Sequence, residues 1–205
     1  GYIFQVADNR LGDLLSGPTY PASFNWFDGQ GLPEAFNRGP LRDAESDGTE
    51  ALIIGVGPCD LAADRVLNFC VWDVQERDSE ICMRTEQAFQ NFALDLTRTV
   101  RLSGRTVRSE TQVVNTGKAP VPVRWFPHPF FPQMDTDELC RFNIPVKISD
   151  NPGFALGENG FVRRKNWPWD RGYFLALDHD ARTNLVVIQR HPKLGMAAAT
   201  CSYLP

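Results

Sequence analysis

The chain has 205 residues, enough to bury a substantial core without disulfides or metals. Its net charge of −4 comes from acidic and basic side chains that are interspersed, so it lacks the basic stripe that binding a phosphate backbone needs, and no nucleic-acid partner is expected. No apolar run approaches the roughly 18 residues of a membrane span, so a soluble chain without a membrane partner is expected.

In chain order, the first feature is Leu15 to Pro40, a long stretch too rich in Gly, Pro and aromatics for a plain connector. Ile81, Met83 and Thr85 then alternate with Cys82, Arg84 and Glu86. Phe92, Leu94 and Leu96 alternate with Ala93, Asp95 and Thr97, and the pattern resumes at Val100 and Leu102. Period two over such lengths predicts strands with one buried face. Ser103-Gly104 separates this strand from Val107–Val114, a hairpin signal. Asn115-Thr116-Gly117-Lys118 makes the next turn, and Val121, Val123 and Trp125 predict a further strand. Arg124 to Asp137 and Asn151 to Arg171 are two more irregular stretches, and long irregular loops in compact domains are usually functional. Tyr173–Leu177 and Leu185–Ile188 read as a last hairpin around Asp178–Asn184. Short strands with turn chemistry between them predict an all-β, antiparallel fold, taken as one domain over residues 1–205.

The five cysteines are odd in number and form no CxxC pair, which reads as free thiols in a reducing cytosol and a cytoplasmic location. The chain opens on Gly1 without a Met, so its natural start is expected to be missing.

One segment concentrates chemistry: Trp125-Phe126-Pro127-His128-Pro129-Phe130-Phe131. Proline on both sides restricts the backbone around His128, and aromatic neighbours exclude water. That suits a group whose protonation and aim both matter. A packed loop histidine with one hydrogen bond is the alternative. Trp167-Pro168-Trp169 offers flat indole faces that pack on the C–H face of a pyranose, or that plug a core edge instead.

The run Ser109–Gly117 followed by His128-Pro129-Phe130-Phe131 resembles the aldose 1-epimerase (galactose mutarotase) family. There, a strand ending in an Asn turn precedes a His-Pro-Tyr/Phe-Phe motif. The resemblance implies an antiparallel β-supersandwich that interconverts the anomers of a free sugar, with His128 as the acid that protonates the ring oxygen. Asp170-Arg171-Gly172-Tyr173-Phe174-Leu175 is similar to the family's sugar-binding Asp and the strand after it, which makes Asp170 a substrate contact or, alternatively, a turn residue capping backbone amides. From its indole chemistry, Trp169 is expected to contact the sugar as well, unless it plugs a core edge.

The chain departs from the family twice. Where the family carries a His-Gly step in an early loop, this chain has Asn37-Arg38-Gly39. Arg38, with Asn37 beside it, suits a hydroxyl or an anionic substituent, which extends the expected substrates to acidic or phosphorylated sugars; a solvated loop Arg is the other reading. The family's glutamate base falls beyond Pro205, and its opening strands are not matched either. The chain is therefore expected to lack N- and C-terminal strands of the complete fold, and Glu34 is nominated as a substrate-side carboxylate and substitute base. With no P-loop, GxGxxG, HExxH or GxSxG pattern, neither cofactor nor metal is expected. Two rival readings stay open: a non-catalytic carbohydrate-binding domain of the same fold, and a structural sandwich of a larger polysaccharide-processing enzyme.

Overall fold

The structure, a computed structural model, describes residues 2–17, 31–36, 41–42, 47–123, 125–132, 134–168 and 184–202. All regular structure among them is β, paired antiparallel. Contacts divide the chain into two compact units, one of Glu34–Phe126 and one of Tyr2–Pro33 with Pro127–Pro205. No helix among the described residues is long and apolar enough to cross a membrane, which says nothing of β-barrels.

In chain order the strands are β1 (Ala7–Asp8), β2 (Gly12–Asp13), β3 (Glu34–Phe36), β4 (Glu50–Ile53), β5 (Gly57–Asp60), β6 (Arg65–Val66), β7 (Asp73–Arg77) and β8 (Glu80–Phe89). They continue with β9 (Phe92–Ser103), β10 (Thr106–Asn115), β11 (Trp125–Pro127), β12 (Glu138–Phe142), β13 (Phe154–Leu156), β14 (Val162–Arg164), β15 (Leu185–His191) and β16 (Gly195–Cys201).

The 34–126 unit is built on the sheet β10-β9-β8-β7, with the smaller sheets β4-β5-β6 and β3-β11. The alternation along β9 sends Phe92, Leu94 and Leu96 inward, where they join Leu41, Leu52 and Ile54 in one buried cluster edged by Trp72, Phe89, Val113 and Val121. Buried Gln87 ties β8 to the β4–β5 turn: its side-chain oxygen accepts the Gly55 N–H at 2.8 Å and its amide donates to the Ile53 carbonyl. The opposite face is a charged ladder in which Arg84 bonds Asp95 and Glu86, and Arg101 bonds Glu80, so this face takes water.

Two expectations need correcting. Val121–Val123 forms no strand, because Pro120 and Pro122 lack the N–H that a ladder requires; pairing begins at Trp125. The three irregular stretches are not wholly irregular, for they hold β3, β11, β13 and β14, each three residues long and too short to show a period. The expected strand Tyr173–Leu177 lies outside the described residues.

The second unit contains the sheet β13-β14-β12-β15-β16 and the small pair β1-β2. Phe161 and Val162 are buried, and the guanidinium groups of Arg190 and Arg141 lie 4.6 and 5.4 Å from the Phe161 ring centre. The Arg190 guanidinium also donates twice to Glu138, at 2.7 and 3.0 Å. His191 is 1% exposed and ends β15. Its Nδ1 accepts the N–H groups of Lys193 and Leu194, both at 3.1 Å, so the ring proton sits on Nε2 and is donated to the Leu14 carbonyl at 2.7 Å. One imidazole thus shapes the β15–β16 turn and fastens it to a segment 177 residues away in sequence.

Candidate functional site

The His128 segment lies in the second unit and is laid down by its backbone. The His128 N–H donates to the Pro33 carbonyl and the Phe130 N–H to the Gly31 carbonyl, both at 2.9 Å, the alternate-residue bonding of an antiparallel pair. The carbonyls of Phe130 and Phe131 in turn accept from the N–H and hydroxyl of Ser16, at 2.9 and 3.2 Å. The imidazole of His128 is exposed and stacks on the Phe130 ring, with centres 4.3 Å apart and planes 19° from parallel. Phe131 packs edge-on to the buried His191 ring at 6.4 Å. The tip of the motif therefore offers its ring to solvent while the two residues after Pro129 anchor it.

Gly31 makes this arrangement possible. Its φ is +67°, and a Cβ there would meet the Ile3 carbonyl oxygen and, at 2.7 Å, the Phe4 Cα and carbonyl oxygen. Because those are backbone atoms, nothing flexible can give way. Gly31→Ala is expected to destabilise the chain by about 2–4 kcal/mol and to loosen the strap that holds His128. Urea unfolding, with proteolysis around residues 128–132, would test this, and a wild-type midpoint would refute it.

Glu34 lies in the other unit and is the centre of a buried polar cluster. Its carboxylate forms an ion pair with Arg98, and the two side chains are 9% and 7% exposed. It also accepts from Ser109 Oγ at 2.9 Å, Thr111 Oγ1 at 2.7 Å and Trp125 Nε1 at 3.1 Å. Thr111 links the two charges, since its hydroxyl also accepts from Arg98 at 3.2 Å. Burial pushes the Glu34 carboxyl up, but the Thr111 hydroxyl, the Arg98 charge, Trp125 and Ser109 together outweigh it and hold the group below the ordinary glutamate range. Four donors occupy its two oxygens, so the carboxylate stays ionised and is already committed to partners from its own unit.

Neither Arg98 nor its link to Glu34 stands out in the sequence, yet a signal exists. Arg98 occupies the inward parity of β9, after Phe92, Leu94 and Leu96, and a cation on a buried face demands a partner. Its Nε is buried without a hydrogen-bond partner, so the cluster is not fully satisfied. Of the other expected site residues, Asn37, Arg38, Trp169 and Asp170 lie outside the described residues. Trp167 is half-buried, and its backbone N–H donates to the Lys165 carbonyl at 2.9 Å. No group of three or more His, Cys, Asp or Glu side chains suited to a metal occurs among the described residues.

No family model matches the chain, and neither the curated proteins nor the solved structures contain a match to it.

Proposed function

We propose that this chain is a sugar-handling domain of the antiparallel β-supersandwich class and acts as an aldose 1-epimerase, with His128 as the catalytic acid. The observation that carries this reading is the presentation of His128: a residue between two prolines whose backbone N–H donates to the Pro33 carbonyl and whose exposed imidazole stacks on Phe130. A ring stacked on Phe130 yet open to solvent can deliver a proton to a bound sugar. The imidazolium protonates the ring oxygen while a base removes the proton of the anomeric hydroxyl. The ring C–O bond breaks, the aldehyde rotates about C1–C2, and on closure at the other face the attacking hydroxyl returns its proton to His128 while the base gives its proton back to the new anomeric oxygen. Asp170 and Trp169, which belong to the same unit as His128, are the proposed substrate contacts.

The engagement of Glu34 by four internal donors favours the second reading, a carbohydrate-binding domain without chemistry, because it withdraws the carboxylate nominated as substitute base. Polarimetry of freshly dissolved aldoses separates the two. The enzymatic reading expects optical rotation to relax faster in proportion to protein concentration. Sugar binding by calorimetry with an unaltered relaxation rate would leave the binding domain in its place.

A further inference from the structure

The outer edge of β7 suits one partner unusually well: another β7. The strand is the last in β10-β9-β8-β7, all five of its residues are exposed, and among the described residues nothing pairs with its outer side. We propose that two copies of this chain associate edge to edge through Asp73–Arg77, antiparallel about a twofold axis at Gln75, joining their sheets into one of eight strands.

The hydrogen-bond parity of the strand fixes which registers are open. The two-residue turn Asp78-Ser79 closes on the pair Arg77↔Glu80, so Arg77, Gln75 and Asp73 direct their backbone groups at β8. Those of Val74 and Glu76 point outward. A twofold axis at Gln75 sets Val74 opposite Glu76 of the second copy, and both are outward residues, so four interstrand hydrogen bonds can form. An axis between two residues would set outward groups against inward ones and form none.

Charge then selects among the permitted registers. With the axis at Gln75, Asp73 faces Arg77 of the second copy and Arg77 faces its Asp73, two opposite-charge pairs from one sequence read in both directions. With the axis at Val74, Asp73 faces Gln75 and Glu76 faces Trp72. With the axis at Glu76, Arg77 faces Gln75 and Asp73 passes beyond the end of the strand. Only the central register pairs every charge on that face of the strand. Within its own chain the Arg77 guanidinium lies 4.0 Å from Glu80, with its side chain 75% exposed, so it can reach across the edge. Charged side chains usually guard a sheet edge against foreign strands; here the same charges repel most partners and accept their own mirror order.

The opposite face adds apolar area. Val74 and Ile81 are 49% and 40% exposed, and Met83 pairs with Val74 across the ladder. In the central register the Val74 of each copy comes beside the Glu76 stem and then the Ile81 of the other, so two separate exposed patches become one that is partly covered.

Sedimentation of the 205-residue chain over a concentration series tests the proposal. The unaltered chain is expected to show a monomer–dimer equilibrium that weakens with salt. Asp73→Arg and Arg77→Asp each place like charges together and should weaken the dimer about tenfold, whereas the double reversal restores opposite pairing and the dimer with it. Val74→Pro removes an outward N–H from each copy without touching the β8 ladder, so it should abolish the dimer while circular dichroism stays unchanged. A chain that stays monomeric up to about 1 mM, or a dimer indifferent to the single reversals or to Val74→Pro, would overturn it.

Discussion

Replacing His128 with alanine is expected to slow mutarotation by about 10²- to 10⁴-fold, the usual contribution of one positioned acid. The fold should survive. The His128 backbone N–H, which is what bonds Pro33, is retained in alanine, and the lost ring contact with Phe130 is at the surface. Polarimetry reads the rate and thermal unfolding reads the fold, so the two effects separate. Phe130→Leu is a useful companion: it keeps the anchoring backbone bonds but removes the flat surface behind the imidazole. It should reduce the rate less than His128→Ala. A rate unchanged in His128→Ala would remove the acid from the proposal.

The largest loss of stability is expected at Glu34 and Arg98. Glu34→Ala strands a guanidinium whose side chain is 7% exposed, and removing one partner of a buried pair costs about 3–5 kcal/mol. Arg98→Met should cost less, because Ser109, Thr111 and Trp125 continue to donate to the carboxylate. The double variant Glu34→Leu with Arg98→Met should lose less than the sum of the single variants, which a double-mutant cycle in urea would measure. The pH dependence has a definite sign. The carboxyl is held below its ordinary value of 4.5 in the folded chain, so its contribution is complete above that pH and disappears as pH falls through the lower folded value. Glu34→Ala should flatten the acid limb of the stability curve in that window. An unchanged acid limb would show that the pair is not coupled to folding in this way.

The parts of the fold that can be read from the sequence are those with length. β8, β9 and β10 run ten, twelve and ten residues, long enough for period two to appear several times over and for one face to be recognised as buried. Strands such as β3 and β11 carry three residues, and only pairing with a distant segment reveals them as strands. Proline explains the opposite error, where Val121 and Val123 carry the apolar alternation of a strand without its donors. The His128 motif is local and therefore visible, whereas what holds it is not: Pro33, Gly31 and Ser16 are around a hundred residues upstream, and no spacing rule connects them. The Glu34–Arg98 pair spans 64 residues and was announced only by a cation in an apolar slot.

The tie from His191 to Leu14, and the division of the chain around Glu34–Phe126, bear on how the polypeptide is made. The 34–126 segment is continuous, so it can collapse as soon as it leaves the ribosome. The other unit can draw in Ser16, Gly31 and Pro33 once residues 128–131 are translated, but the tie from Leu14 closes only when His191 has been added. Premature release before residue 191 should thus yield a chain with one finished half and one that stays open to proteases and chaperones.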